Sequence, residues 1–377
     1  MNEDLIYQLA IFYTKGVGFS IWKHLIDTYK SATNLFNNSS QIYENVSNVT
    51  YKKIILDIVN KTHLAKAESI LKANHNEEYR IISYYDENYP YRLKETYNPP
   101  AFLFIKGNDS ILSNKRILSI VGTRSPSTYG KDVTTFLIDN LKDYDITFIS
   151  GLAYGIDIIA HKKTLEYKIP NIGVIAGGLD KIYPSIHKPI AQQIIENNGI
   201  LISESPLGVV PESYHFPSRN RIIAGCADAI TVVEAGNNSG SLITAYYGND
   251  ANRNIFAVPG NINTTTSVGC NKLIKNNIAQ VITNAEDIVI DMNWQKSINH
   301  FNVKENENRN NNNSKLKSLD EESKHVFSII KDNPKIFIDD LSNKVNIAIS
   351  KLSVILLKLE IKKIIKTYPG YKYEINT

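Results

Sequence analysis

At 377 residues, with 42 % hydrophobic and 21 % charged side chains, the chain is longer than one hydrophobic core usually serves, and two or three domains are expected. No apolar run approaches the roughly 18 residues of a membrane span, and the acidic start Met1-Asn2-Glu3-Asp4 lacks the features of a secretory signal, so a water-soluble cytoplasmic protein is expected. Cys226 and Cys270 form no CxxC pair, which argues against a disulfide framework or a zinc site, and a net charge of +4 with a pI near 8.7 permits nucleic-acid binding without requiring it.

Over residues 1–75 apolar side chains recur at helical spacing, as in Leu5, Ile6, Leu9, Ile11 and Phe12 and again in Ile54, Ile55, Ile58 and Val59, which predicts a small helical domain. Within it, Lys15-Gly16-Val17-Gly18 suits either a packing turn or a hairpin whose N–H groups meet DNA phosphates. The region 76–291 opens on two short strand patterns, Ile81 to Tyr85 and Phe102 to Ile105, expected to flank a main sheet. Apolar runs then alternate with helical patterns, at 117–121, 146–149, 172–176, 200–202, 230–233 and 255–258. This rhythm predicts an α/β domain around a parallel sheet covered by helices on both faces, with ligands at the carboxyl ends of the strands. Residues 292–317 are rich in Asn, cannot bury a core and read as a linker. In 318–377, helical patterns at 326–330, 338–345 and 349–365 precede a turn between short strands at Thr367 to Tyr373, which suggests a winged helix. Its lysines, Lys351, Lys358, Lys362, Lys363 and Lys366, read chiefly as a solvated face.

Each strand of the central region delivers a polar loop. The first, Gly122 to Gly130, sets Arg124 before a helix predicted from about Lys131 to Leu141. A helix start attracts an anion, and a guanidinium grips phosphate with two parallel hydrogen bonds. Gly122 and Gly130 equally suit tight turns. The second loop holds Gly151 and Gly155 before a helix bearing His161, where Asp157 is expected to charge the first turn and His161 to be packed. The third, with Tyr183-Pro184, leads to Lys188 near a helix start, suited to a phosphate or to solvent. The fourth sets Arg219 and Arg221 beside Phe216, Tyr214 and His215, a combination of charge and stacking faces that suits single-stranded nucleic acid. One of the two arginines is expected to pair internally with Glu204 or Glu234. The fifth places Ser239-Gly240-Ser241 at a helix start, as an anion cradle or an ordinary serine cap. A P-loop, a GxGxxG fingerprint, an HExxH pair and a GxSxG elbow are all missing, so nucleotide hydrolysis, dinucleotide redox and zinc hydrolysis lose weight. No cofactor and no metal are expected.

Taken together, Val121-Gly122-Thr123-Arg124 with Tyr129-Gly130, Ser150 to Asp157 with His161, Gly178-Leu179-Asp180 with Tyr183-Pro184, Phe216 to Gly225 and Ser239 to Ala245 resemble the bacterial DNA-processing protein A family (DprA, also called Smf). The resemblance extends over nearly the whole chain. It implies a Rossmann-like parallel sheet domain, an N-terminal helical SAM-like domain and a C-terminal winged helix. It also implies a homodimer that binds single-stranded DNA without sequence preference, protects it, and loads the RecA recombinase onto it in natural transformation and homologous recombination, with no catalytic turnover. Carried over, the DNA contacts fall on Gly122, Arg124, Gly151, Gly155, Lys188, Phe216, Arg219, Arg221, Ser239, Gly240 and Ser241, with Arg124 at the centre and Arg219 and Arg221 in the family's FPxRNR motif. The sequence departs from the family pattern at His187, Ser205 and Cys226, where Asn, an aromatic and Leu are common. An alternative is a Rossmann-like nucleotide phosphoribohydrolase of the LOG type, whose PGGxGTxxE loop is absent and which would need Glu234 or Asp157 as its acid. A third reading is an adaptor that binds proteins through the winged helix.

Overall fold

The helical spacing of the first 74 residues produces α1 (Glu3–Phe12), α2 (Phe19–Tyr29), α3 (Ala32–Asn37), α4 (Ser39–Asn45), α5 (Val49–Val59) and α6 (Leu64–Asn74). Their shared core holds Leu9, Ile11, Leu25, Ile54 and Ile55 around Trp22, whose Nε1–H donates to the Gln8 carbonyl oxygen at 3.0 Å. The same cluster includes Phe102, Phe104, Ile175 and Leu201 of the following sheet, so the helices are seated on it. Accordingly Met1–Lys296 is one compact unit and Ser297–Thr377 another. Lys15 to Gly18 forms the turn between α1 and α2, with Gly16 at φ +85, a backbone conformation that favours glycine. The computed structural model describes residues 3–74, 79–296, 320–333, 336–361, 364–368 and 372–375.

The apolar runs become the strands β1 (Arg80–Ser83), β2 (Phe102–Gly107), β3 (Ile117–Val121), β4 (Thr147–Ser150), β5 (Asn171–Ile175), β6 (Ile200–Ser203), β7 (Ala229–Val232), β8 (Asn254–Ala257) and β9 (Gln280–Val281). They form one sheet in the order β1-β2-β6-β5-β4-β3-β7-β8-β9. From β6 across to β9 every pairing is parallel, and β1 and β2 add an antiparallel edge on β6, with Phe104 opposite Ser203. The helices after α7 (Tyr91–Lys94) are α8 (Thr128–Leu141), α9 (Ile156–Glu166), α10 (Lys188–Glu196), α11 (His215–Cys226), α12 (Gly240–Asp250), α13 (Val268–Lys275) and α14 (Ala285–Asp291). Both sheet faces are covered, which is why the strands lack polar alternation. In β3, Ile117 and Val121 join Ile222, Ile223 and Leu242 on one face, while Leu118 and Ile120 join Leu137, Ile138 and Ala160 on the other.

The order of the strands fixes where a ligand fits. The chain steps outward from β3 through β4 and β5 to β6, then returns to pair β7 with the free side of β3. The loops leaving β3 and β7 therefore part in opposite directions, and a crevice opens at the carboxyl ends of these two strands.

In the second unit, helices Glu321–Asp332, Ile338–Val345 and Ile349–Ile361 surround Val326, Leu341, Leu352 and Leu356, beside a three-stranded sheet of Ile336–Phe337, Lys372–Ile375 and Ile365–Tyr368. The pattern expected as helical to residue 365 ends at Ile361, and Ile365 opens a strand. The two-residue strand Ile336–Phe337 is too short to leave a period in the sequence. Lys351 pairs with Glu322, Lys366 lies 4.0 Å from Glu374, and Lys358 is exposed. Lys362, Lys363, the turn at Pro369 to Tyr371 and the part of the linker from 297 to 317 lie outside the described residues. No helix among the described residues is long and apolar enough to cross a membrane.

Candidate nucleic-acid interface

At the crevice between the ends of β3 and β7 lies a cavity of about 680 Å³. Gly122, Thr123 and Arg124 reach it from the loop after β3, Ala153 from the loop after β4, Asp157 from the first turn of α9, Phe216, Pro217, Arg219 and Asn220 from α11, and Ser239, Gly240, Ser241, Ile243 and Thr244 from the start of α12. Arg124 is exposed, and its guanidinium has no carboxylate partner among the described residues. Instead its Cζ lies 5.3 Å from the centroid of the Phe216 ring, a cation–π contact that holds it at the cavity mouth without neutralising it. Phe216 meets Tyr183 edge-on at 5.6 Å, and Tyr154 and Tyr183 are half exposed in an adjoining pocket that also includes Arg124 and Gly151. Tyr154 and Tyr183 were not among the contacts expected from the sequence. The signal was a large aromatic inside a polar loop, where no core calls for one.

The glycine loops work differently from the expectation. The start of α8, read as a place for a ligand's anion, already holds one: the carboxylate of Glu234 at the end of β7 accepts from Ser127 N–H at 2.9 Å, Ser127 Oγ at 2.7 Å and Thr266 Oγ1 at 3.0 Å. Ser127 Oγ in turn accepts from Gly130 N–H at 3.2 Å. A Cβ on Gly130 would stand 2.1 Å from the Glu234 carboxylate, one on Gly122 2.5 Å from Ile156, and one on Gly155 2.1 Å from the Thr123 carbonyl oxygen. Gly122 and Gly130, then, admit neighbouring parts of the protein, Gly122 and Gly155 bring the Arg124 loop close against the start of α9, and Gly122 also lines the cavity. Gly240 is the contrast, with open space where its Cβ would be.

Arg219 and Arg221 are both engaged internally. Arg219 is buried, and its Nη1 donates to the carbonyl oxygens of Gly151 and, at 2.6 Å, Val174, while Nε donates to Asn220 Oδ1 at 3.1 Å. Burial pushes this guanidinium down to about 10, opposed by the nearby Asp157 carboxylate and reinforced by Arg124, so it stays charged at neutral pH. Arg221 forms an ion pair with Glu204 and donates to the Asn98 carbonyl oxygen. Replacing Arg221 with alanine is expected to cost about 1 kcal/mol in urea unfolding and to leave the salt dependence of any DNA binding unchanged. Lys188 is exposed at the start of α10, outside the residues that line the cavity. Ser239 stands at the N-cap of α12 yet makes no side-chain cap. Its hydroxyl meets Ser241 Oγ at 2.8 Å, so the α12 start keeps backbone donors for a ligand.

The family model for DNA recombination-mediator protein A matches residues 80–293, more than half of the chain. The chain belongs to this family. Similar members of the DNA recombination-mediator protein A family include DNA processing protein DprA of Bacillus subtilis, 41 % identical over 223 residues, which are 59 % of this chain and 74 % of that one. Protein Smf of Synechocystis is 30 % identical over 99 % of both chains. Among solved structures, DNA processing protein A from Streptococcus pneumoniae superposes with a TM-score of 0.60 at 28 % identity, over 78 % of this chain and 99 % of that one. DNA processing protein A from Helicobacter pylori, whose structure describes a single-stranded DNA binding mode, gives 0.53 at 27 % identity over 59 % of this chain and all of that one.

In this member of the DNA recombination-mediator protein A family, the two carboxylates that a hydrolytic reading would need are both occupied. Glu234 is held by Ser127 and Thr266, as described, and Asp157 accepts from Gly151 N–H at 3.1 Å. Burial raises the Asp157 carboxyl, and Arg219 with the Gly151 and Ala153 N–H groups works against that rise. His161 is packed, its Nδ1 3.1 Å from Asn171 Oδ1, and burial pushes it down to about 4. The three positions that depart from the family pattern all point inward: His187 Nδ1–H donates to the Leu152 carbonyl oxygen at 2.7 Å, Ser205 is buried, and burial pushes the Cys226 thiol up to about 12. None of the three lines the cavity.

Proposed function

We propose that this protein binds single-stranded DNA without sequence preference, with Arg124 on a backbone phosphate at the cavity mouth and bases stacked on Phe216, Tyr183 and Tyr154. The observation that carries the proposal is Arg124 itself: an exposed guanidinium, without a carboxylate partner among the described residues, held over an aromatic ring at the switch point of the sheet. A charge kept free of internal neutralisation, beside stacking faces, suits a strand with unpaired bases better than a duplex. Ser239, Gly240 and Ser241 would add donors from the start of α12, and Lys188 would meet the strand beyond the cavity. The single-stranded DNA binding mode of the Helicobacter pylori relative supports the same assignment. In this reading the protein protects the strand and loads the RecA recombinase onto it in natural transformation and homologous recombination. It does so without turnover and as a homodimer in the cytoplasm, with 1–75 a SAM-like domain, 76–291 Rossmann-like, 292–317 a linker and 318–377 a winged helix.

Titration of labelled single- and double-stranded oligonucleotides across salt tests the central claim. The single strand should bind more tightly, with a logarithmic slope of about −0.7 for each phosphate contacted; equal affinity for the duplex, or no binding at low salt, would overturn it. Acceleration of RecA assembly on strands coated with single-strand-binding protein tests the loading role, and sedimentation tests the dimer. Phe216→Ala is expected to lose roughly 1–3 kcal/mol of oligo-dT binding, the range for one base on an aromatic. Its salt slope should change little, because the ring carries no charge.

A further inference from the structure

The cavity runs deeper than a strand lying across Arg124 requires. Its inner end is closed by Val121, Ile223 and Thr244, which are 3 %, 1 % and 1 % exposed. A phosphate inside a strand has chain leaving it on both sides and must remain at the mouth of a closed cavity. The end of a strand has chain on one side only and can enter.

Two independent features mark the α12 wall of the cavity, from the exposed Gly240 inward to the buried Thr244, as a place for an anion. The first is the start of α12, where Ser239 makes no side-chain cap and its hydroxyl turns to Ser241 Oγ; Leu242 N–H donates to the Ser239 carbonyl oxygen at 3.1 Å, which leaves the Gly240 and Ser241 N–H groups without intrahelical partners. The second is Thr244. Its side chain is buried and lines the cavity, yet its hydroxyl has no hydrogen-bond partner among the described residues, whereas buried polar groups in folded proteins are nearly always paired. Asp157, the carboxylate among the cavity-lining residues, is turned to Gly151 N–H, with Arg219 as its buried counter-charge.

The geometry points to a terminal phosphate monoester as the ligand of this inner end, carried either by the phosphorylated end of a DNA strand or by a free nucleoside monophosphate. A monoester has about −1.5 to −2 charges at neutral pH and three strong acceptor oxygens, which match helix-start N–H groups and a lone hydroxyl better than a singly charged diester does. The volume of about 680 Å³ falls within the roughly 300–1,000 Å³ usual for small-ligand sites. The inference rests on the reading of Arg124 as the strand's phosphate contact, since the next phosphate along the strand would then sit at the mouth.

Anisotropy with internally labelled oligo-dT, bearing a 5′-phosphate, a 3′-phosphate or hydroxyls at both ends, tests it in the full chain, with dTMP as competitor. One phosphorylated end should bind roughly tenfold more tightly than the hydroxyl form, as expected for an added charge-assisted hydrogen bond. Binding by dTMP with no preference among the three oligonucleotides assigns the site to the free nucleotide. Thr244→Val should abolish the advantage of the phosphorylated end, or the binding of dTMP, without weakening the hydroxyl oligonucleotide. Because the hydroxyl bonds nothing, the valine variant should melt no lower than the wild type, which separates lost binding from lost folding. Equal binding of all three oligonucleotides together with no binding of dTMP overturns the inference and leaves the Arg124 reading standing. Loss of oligonucleotide binding altogether removes both.

Discussion

Arg124→Ala should weaken oligo-dT binding by roughly tenfold to a hundredfold, the worth of a hydrogen-bonded pair of charges, and should flatten the salt slope by about 0.7. Both effects follow from the same fact, that the Arg124 guanidinium has no carboxylate to neutralise it and lies over Phe216 at the cavity mouth. A buried or paired arginine would show neither. Arg124→Lys should keep most of the slope, because the charge stays, but recover only part of the affinity, because an ammonium lacks the planar fork that meets two phosphate oxygens at once. Folding should change little in both variants, by no more than about 1 kcal/mol for Arg124→Ala, because the side chain is exposed, has no carboxylate partner and touches only the Phe216 ring. Anisotropy titrations at several salt concentrations, with urea unfolding alongside, measure all of this. An Arg124→Ala protein with wild-type affinity and slope would place the DNA elsewhere.

The sheet was legible because its strands are buried on both faces: 117–121, 229–232 and 254–257 stand within one residue of the apolar runs that announced them. Its crevice was legible too, since strand order and ligand position are linked in doubly wound sheets. What the sequence concealed was who occupies each helix start. Glu234 and Ser127 are 107 positions apart, and no local pattern says that the carboxylate at the end of one strand fills the helix start after another. The arginines were concealed for a different reason. Arg124, Arg219 and Arg221 carry the same group, and only burial and partners tell them apart. For Arg219 the signal lies in where the helix starts. α11 begins at His215, with Pro217 in its first turn, where a missing N–H costs nothing. With the helix begun there, Arg219 falls on one face with Ile222, Ile223 and Cys226 at spacings of three, four and seven. That is the buried face.

Arg219→Ala is accordingly expected to act on folding, with a loss of about 3–5 kcal/mol, the range for breaking one side of a buried pair of charges. The variant would leave the Gly151 and Val174 carbonyl oxygens without their donor and Asp157 without its counter-charge. The second consequence gives the loss a pH signature. In the wild type, burial raises the Asp157 carboxyl and Arg219 opposes the rise; without Arg219 the folded-state value climbs further above that of the unfolded chain. Between the two values the folded protein holds a proton that the unfolded chain has released, so stability falls as pH rises through that window. The deficit of the variant should therefore be smaller near pH 5 than near pH 8. Gly151→Ala should reproduce it from the other side of the contact, because its Cβ would stand 2.1 Å from Arg219 Nη1 and 2.3 Å from Cζ, forcing the guanidinium out. Urea unfolding of both variants at the two pH values decides the matter: a deficit that does not change with pH would mean that Asp157 is not the charge Arg219 serves, and a Gly151→Ala protein of wild-type stability would mean that the guanidinium can leave its place without cost.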